Sequence, residues 1–214
     1  MQYNPSYRPV VNEDEEPDEK AEEAKSDNGS PDPFMSKALK TRSILLSGEV
    51  NKALAERVVR NLLILEAENH DPIKIFIDSP GGDVDAGYAI FDMIRFVEAP
   101  VYTIGMGLVA SAGALILLAA PKDRRLGLPN SHYLIHQPLS GMRGVATDIE
   151  IHAKELEKTK LRINKMISEE TGKKLEIVQK ETDRDYWLNA EEAKAYGPHG
   201  LISRIVGKRA DLGF

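Results

Sequence analysis

The amino-acid sequence predicts an α/β fold built around a largely parallel sheet. Short runs rich in branched apolar residues alternate along the chain with longer segments whose apolar residues recur at helical spacing. Repeated β–α units of this kind place consecutive strands parallel in one sheet. The chain has 214 residues and no internal repeat, which favours a single folded domain with one core.

The predicted elements begin near residue 43. In order, they are a strand at 43–46, a helix after Asn51, a strand at 73–78, a glycine turn at 79–82, a helix at 84–97, a strand at 101–106, a helix at 111–120, a strand at 132–135, a long helix at 145–170, short helices at 175–182 and 190–196, and a last strand at 201–206.

Local patterns justify these elements. Asn51 is of a residue type that caps helices, and the apolar residues after it recur on one helical face. Ile73, Ile75 and Ile77 alternate with other residues, as the buried residues of a strand do. The apolar run at 107–120 has 14 residues, fewer than the ~20 that cross a bilayer, and is interpreted as a buried helix.

The charge of the chain is concentrated near its N-terminus. Residues 13–32 hold ten acidic residues and two lysines, so the other residues of the chain carry a net charge of +2. This nearly neutral body does not indicate nucleic-acid binding. Residues 1–34 also contain five prolines and little apolar surface. They predict a disordered acidic tail, solvated rather than a docking arm, before a folded domain at 35–214.

Cysteine is absent, which excludes disulfides, thiol catalysis and thiolate metal sites. The N-terminus lacks the basic and apolar segments of a secretory signal. We therefore expect a cytoplasmic protein that needs no cofactor or metal and binds no membrane. Four histidines show no metal-like grouping with carboxylates: His70, His132, His152 and His199.

Ser111 is a candidate nucleophile. It follows a predicted strand, opens an apolar helix and has the small neighbours Ala110, Ala112 and Gly113, which leave space for a substrate carbonyl. The N–H groups at a helix N-terminus favour developing negative charge. Taken alone, such a serine is more often a helix cap or a small core residue.

His136 and Asp185 are candidates for the base and its orienting residue. His136 ends a predicted strand, a rigid support for an imidazole that accepts a proton. An aspartate such as Asp185 can orient that imidazole, although a surface pair with Arg184 is the commoner role. Gly81 and Gly82 directly follow a strand, where main chain can approach a ligand closely.

Six segments together resemble the caseinolytic (Clp) protease family, peptidase family S14. They are 76–82, 105–113, 128–131, 134–139, 146–153 and 182–188. They occur in the family's order and spacing, with 25 residues from Ser111 to His136 and 49 from there to Asp185. The resemblance covers about residues 40–206 and implies the ββα-spiral fold, shared with crotonase-like proteins, with a protruding handle helix.

The resemblance implies a serine endopeptidase that hydrolyses unfolded polypeptides. It assigns Ser111 as the nucleophile, His136 as the base and Asp185 as the residue that orients the base. It also assigns the N–H groups of Gly82 and Ala112 to the oxyanion hole. A substrate-binding strand within residues 139–144 would pair with the substrate main chain, which implies broad specificity; its residues are Leu139, Ser140, Gly141 and Met142.

The resemblance also implies partners. The long helix from Val145 resembles the handle through which two heptameric rings stack into a chamber, in homomeric or mixed form. A separate ATP-driven unfoldase of the Clp type would dock on an apolar pocket formed by Phe76, Phe96, Ile104, Met106 and Leu128. Lys74 replaces an aromatic residue at this pocket, and residues 1–40 lack a recognisable axial-loop segment. Pro198, His199 and Gly200 resemble an insertion.

Two alternative functions stay open on the sequence. One is a catalytically silent or assembly-controlled paralogue that co-assembles with an active subunit. The other is a crotonase-type acyl-CoA hydratase or isomerase, which would share the spiral fold and a glycine oxyanion hole. An enzyme of that type would normally use carboxylates in place of the pair Ser111 and His136.

Overall fold

The computed structural model describes residues 33–212. The predicted acidic tail lies outside this range except for its last two residues, as do residues 213 and 214. The first described helix begins at Pro33, two residues before the predicted start of the folded domain.

Helices and strands alternate over most of this range, as predicted. They are α1 (Pro33–Lys40), β1 (Ser43–Ser47), α2 (Lys52–Glu68), β2 (Ile73–Ser79), α3 (Val84–Phe96), β3 (Val101–Ala110), α4 (Ala112–Leu117), β4 (Arg125–Gly127), β5 (His132–Ile135), α5 (Ala146–Thr171), α6 (Leu175–Glu181), β6 (Tyr186–Asn189), α7 (Ala190–Lys194) and β7 (Arg204–Ile205). Short 3-10 helices lie at Lys122–Arg124 and Arg209–Leu212.

Seven strands form one sheet. The strands β1, β2, β3, β4 and β7 lie side by side in that order, and all of these pairs are parallel. The strand β5 pairs in parallel with the C-terminal end of β3, and β6 is antiparallel to β5. This mixed sheet with its helices confirms the predicted fold class.

Local packing follows the predicted patterns. The side chain of Asn51 accepts a hydrogen bond from the N–H of Leu54, so it caps α2 as predicted. The apolar residues predicted for the inner face of α2 are buried. The three isoleucines of β2 are fully buried, while the residues between them are partly exposed. These alternating faces place the core between the sheet and the helices α2, α3 and α4.

The strand β3 is longer, and α4 shorter, than the sequence predicts. Because β3 continues to Ala110, the prediction of one buried helix over 107–120 is wrong. Gly107 has a φ of 54°, and a Cβ there would lie 2.7 Å from a carboxylate oxygen of Asp78. The same oxygen accepts the N–H of Leu108 at 3.0 Å. These contacts let β3 turn and continue beside β5.

Three short elements are absent from the sequence prediction, namely α1, β4 and β6. The last strand is also shorter than predicted, with two residues instead of the six at 201–206. The strands β4 and β6 have three and four residues, and segments this short give only a weak periodic signal. The strand β6 matters most for function, because it pairs with the strand that leads to His136.

The helix α5 projects from the core. It has 26 residues and is therefore about 39 Å long. Its buried residues, from Ile163 to Thr171, all lie in its C-terminal half, whereas Ile149 is exposed. This arrangement is the predicted handle. None of the helices within residues 33–212 combines the length and apolarity needed to cross a membrane.

A buried guanidinium holds the base of the handle. The side chain of Arg125 is 1% exposed and pairs with the carboxylate of Glu170. It also donates to the main-chain oxygens of Ala120 at 2.6 Å and of Glu170 at 3.0 Å. The same carboxylate pairs with Arg95. Arg125 thus joins β4 to the end of α5, and Glu170 extends the link to α3.

His70 lies between two carboxylates, contrary to the expectation that it would not group with acidic residues. Its Nε2 atom is 3.6 Å from Glu66, and its Nδ1 atom is 3.8 Å from Glu98. Both carboxylate oxygens of Glu66 accept backbone N–H groups, from Glu98 and Ala99. Burial raises the pKa of Glu66, but these hydrogen bonds and His70 outweigh it and lower the pKa below 4.5.

Replacing Glu66 with alanine is expected to lower the free energy of unfolding by about 1 kcal/mol at pH 7. Because the pKa of Glu66 is lowered in the folded state, its contribution is present above the ordinary carboxylate pKa and is lost as the pH falls through the folded-state value. Urea unfolding at pH 7 and near pH 4 measures this. Glu68→Ala, at the exposed end of the same helix, is the control. An unchanged Glu66→Ala effect at both pH values would contradict the assignment.

Candidate active site

Ser111 stands at a sharp corner between β3 and α4. Its φ of 53° and ψ of −120° lie in a region that non-glycine residues rarely adopt, at a cost on the order of 1–3 kcal/mol. The N–H of Ser111 donates to the carbonyl of Leu134 in β5 at 2.9 Å, which holds the corner. Its side chain makes no capping hydrogen bond to α4. Ser111 therefore occupies the N-cap position of α4 without using its hydroxyl as a cap.

The glycine turn brings a second main-chain segment against this corner. Gly81 has a φ of 95°, and a Cβ there would lie 2.5 Å from the Cβ of Ser111, so only glycine fits. The carbonyl of Gly81 accepts the N–H of Val50 at 2.7 Å. No hydrogen bond from the N–H of Gly82 or Ala112 is found within residues 33–212. The two predicted oxyanion donors lie on the two segments that meet at Ser111.

The strands β5 and β6 bring His136 and Asp185 together. Ile135 is paired with Tyr186 at the end of the antiparallel ladder, so the next residues outward face each other. The Nδ1 atom of His136 lies 3.0 Å from Oδ1 of Asp185. The His136 side chain is 14% exposed. Asp185 thus contacts the imidazole, which favours its predicted role over a surface pair with Arg184.

Gln137 fixes the loop that carries Asp185. Its N–H donates to the carbonyl of Thr182, and its side-chain amide donates to the carbonyl of Asp183, both at 2.6 Å. The end of β5 is therefore tied to the start of the segment that leads into β6. The sequence predicts no role for Gln137, because its partners lie more than forty residues away and no local pattern indicates them.

Ser111 and His136 line the same small cavity, of about 10 Å³, together with Ile163 and Ile167 of α5. No hydrogen bond between Ser111 and His136 is found within the described range. The imidazole of His136 is thus paired with the carboxylate of Asp185. Ser111 lies beside them without a hydrogen bond to His136 in the described range. Such contacts often tighten only while a substrate is held.

The predicted substrate-binding strand is open to solvent. Leu139 is 82% exposed, and Met142 is also exposed. Residues 139–142 belong to no strand of the sheet, and no backbone hydrogen bond to or from them is found among the described residues. Their main-chain groups are therefore able to pair with another extended segment.

Three of the five residues predicted for a docking pocket line one cavity. Phe76, Ile104 and Leu128 contribute to a cavity of about 280 Å³. Phe96 and Met106 do not line it. Phe96 lies at the end of α3 with its side chain 76% exposed, so within this chain the pocket is smaller than predicted.

The rim of this cavity is cationic. Lys74 lines the cavity as predicted, and Lys208 and Arg209 join it. Burial, followed by the nearby charge of Arg209, lowers the pKa of Lys74. Val206 and Leu212 complete the apolar wall. No local pattern in the sequence indicates these C-terminal residues, because only the path of the chain after β7 brings them to β2.

Comparison with known proteins adds independent findings. A family model described as Clp protease matches residues 27–209. A Treponema denticola protein named ATP-dependent Clp protease proteolytic subunit 2 is 62% identical over 192 residues, 89% of this chain and 94% of that protein. A Rhizobium etli protein named ATP-dependent Clp protease proteolytic subunit 3 is 52% identical over 173 residues, 81% of this chain and 88% of that protein.

A solved structure is also similar. A ClpP1 mutant from Listeria monocytogenes superimposes with a TM-score of 0.77 at 46% sequence identity, and the match covers 84% of this chain and 99% of that chain.

Proposed function

Because this chain belongs to the Clp protease family and is a serine-type peptidase, we propose that Ser111, His136 and Asp185 carry out its chemistry. The observation that carries this proposal is the 3.0 Å contact between Nδ1 of His136 and Oδ1 of Asp185, beside the cavity that His136 shares with Ser111. With the Nδ1 proton directed to Asp185, Nε2 is left to accept the serine proton.

The chemistry follows from these roles. Oγ of Ser111 bonds to the carbon of a peptide carbonyl while Nε2 of His136 takes the hydroxyl proton. The carbonyl oxygen becomes an oxyanion, which the N–H groups of Gly82 and Ala112 stabilise; losing one such donor typically costs about 3 kcal/mol. The peptide C–N bond breaks as His136 protonates the leaving amine. Water, deprotonated by His136, then hydrolyses the acyl-enzyme and releases Ser111.

The substrate is an unfolded polypeptide in extended conformation. Residues 139–142 would pair with its main chain as an added strand, which selects for extended backbone more than for side chains. The exposed side chains of this segment, and the lack of backbone hydrogen bonds to it within residues 33–212, support this role. Short peptides of varied sequence would be the products.

The family relation also supports a self-compartmentalised protease made of oligomeric rings. We propose that α5 stacks two heptameric rings, of this chain alone or mixed with a paralogue, and that the assembly acts in the cytoplasm. The exposed apolar residues Val145, Ile149 and Ile151 support an interface at the start of the handle.

Entry of folded proteins would require a partner. The sequence has no nucleotide-binding loop, so a separate ATP-driven unfoldase of the Clp type would supply the work. Its docking site is the cavity lined by Phe76, Ile104 and Leu128. The cationic rim around Lys74 and Arg209 would favour a partner segment with acidic residues beside its apolar anchor.

The test compares a short peptide, a permanently unfolded protein and a stable folded protein as substrates. The peptide should be hydrolysed without ATP, whereas the folded protein should be degraded only with an unfoldase and ATP, because unfolding it takes about 5–15 kcal/mol. A Leu128→Asp variant should keep peptide hydrolysis and lose degradation of the folded protein. Rapid degradation of the folded protein by this chain alone would refute the chamber model.

A second candidate function is a subunit whose activity depends on assembly with a paralogue. The observation that favours it is the missing hydrogen bond between Ser111 and His136 within residues 33–212. Labelling of Ser111 with a fluorophosphonate, with and without the paralogous subunit, distinguishes the two candidates. The family membership sets aside the crotonase-type alternative.

A further inference from the structure

His152, on the second turn of α5, contacts the predicted substrate-binding strand. Its Nε2 atom lies 2.7 Å from Oγ of Ser140, twelve residues earlier in the chain. Ser140 is one of the four residues of that strand. The proposed chemistry uses neither side chain, and His152 was considered in the sequence only as a metal ligand.

The contact holds a segment that has few other restraints. The segment from Gln137 to Val145 contains no helix or strand, and residues 139–142 make no backbone hydrogen bond within the described chain. Gln137 fixes the first end of this segment through the carbonyls of the loop before β6. The start of α5 fixes the other end.

Chain length shows how much the contact restrains Ser140. Five residues lie between Ser140 and Ala146, so the six steps of main chain alone would let Ser140 lie up to about 20 Å from the start of α5. The contact with His152 places it instead beside the second turn, about 9 Å along the helix axis. Gly144 also lies beside α5, since a Cβ there would lie 3.7 Å from Cβ of Asp148 in the first turn of the helix. The segment therefore lies along the handle.

We propose that His152 is a positioning residue, which acts through Ser140 to hold residues 139–142 ready to pair with the substrate main chain. This inference rests on the proposed function, because it takes 139–142 as the substrate strand. An ordered segment loses less conformational entropy on binding than a free one. The resulting gain in binding free energy is the same for the bound substrate and for the transition state. It therefore changes KM rather than kcat.

The test measures hydrolysis of an extended peptide substrate by four variants of the full chain. For His152→Ala, KM should rise about 2- to 12-fold, the range for one hydrogen bond, and kcat should stay within about twofold of the unmodified chain. Ser140→Ala should match it, and the double variant should be no worse than either single variant, because both remove the same contact. His152→Gln, whose side-chain amide has similar reach, should restore most of the affinity.

A matched control lies on the same helix. Lys158 is exposed and pairs with Glu155, away from the segment, so Lys158→Ala should leave KM unchanged. A small fluorophosphonate, which reacts at Ser111 without pairing with the strand, should label all variants at the same rate.

The outcomes separate the inference from the proposed function. If the unmodified chain is not labelled at Ser111, the proposed function fails and the inference fails with it. If labelling is normal but KM is unchanged in His152→Ala, or if the His152→Ala and Ser140→Ala effects add, only the inference is overturned. A joint fall in kcat and labelling would mean that His152 acts on assembly, which also overturns the inference.

Discussion

Replacing Ser111 with alanine is expected to abolish peptide hydrolysis, with a loss of at least about 10⁴-fold in kcat, while the fold and the assembly stay intact. The change removes one hydroxyl and keeps the Cβ atom, so packing at the corner between β3 and α4 is preserved. The backbone at this position already has a positive φ with serine, and alanine meets the same steric restriction. Hydrolysis of a fluorogenic peptide and sedimentation of the assembly measure the two parts of this prediction.

The controls use other members of the proposed triad and a distant serine. His136→Ala should be about as severe as Ser111→Ala, and the double variant no more severe, because the residues act as a unit. Ser47→Ala, at the exposed end of β1, should retain full activity. Turnover by Ser111→Ala at more than about one hundredth of the normal rate would exceed what the remaining groups supply and would refute the assignment of the nucleophile.

Replacing Arg125 with alanine is expected to cause the largest loss of stability, about 3–5 kcal/mol. The change leaves the carboxylate of Glu170, itself largely buried, with Arg95 as its remaining ion-pair partner among the described residues. It also removes the hydrogen bonds to the main-chain oxygens of Ala120 and Glu170. Burial lowers the pKa of Arg125, and the charge of Glu170 opposes that effect, so the pair is stable only when both charges are present.

Arg95 provides the matched control, since it pairs with the same carboxylate but its side chain is 44% exposed. Arg95→Ala should cost about 1 kcal/mol or less, because solvent screens an exposed pair. Urea unfolding at one fixed protomer concentration compares the two variants, since assembly contributes to apparent stability. Equal losses for both variants would show that burial of Arg125 does not decide the strength of this link.

Much of the fold could be predicted because it depends on local chemistry. Asn51 caps α2 with its own side chain, and the alternating isoleucines of β2 face the core, both as their residue types require. The glycines at 81 and 82 predict a main chain that can approach a ligand closely; Gly81 packs against Ser111, and the approach to a ligand stays a prediction. For the cap and the strand the cause lies within a few residues along the chain.

The candidate residues of the site could also be named from the sequence, but the contacts between them could not. Asp185 reaches His136 only because β6 pairs with β5, and β6 is too short to show a period of its own. His152 reaches Ser140 only because the segment between them lies along α5. Such contacts depend on where separate elements pack, which no short window of sequence contains.

At the corner that carries Ser111, local sequence patterns and contacts between distant elements each decide part of the structure. Residue patterns were enough to predict the α/β class, the order of the main elements and the residue types available for acyl transfer, because periodicity, caps and turns are local properties. The extension of β3 to Ala110 and the positive φ of Ser111 depend instead on contacts between distant segments. An apolar run satisfies helix and strand equally well, and here the contact of Asp78 with Leu108 and the pairing with β5 select the strand.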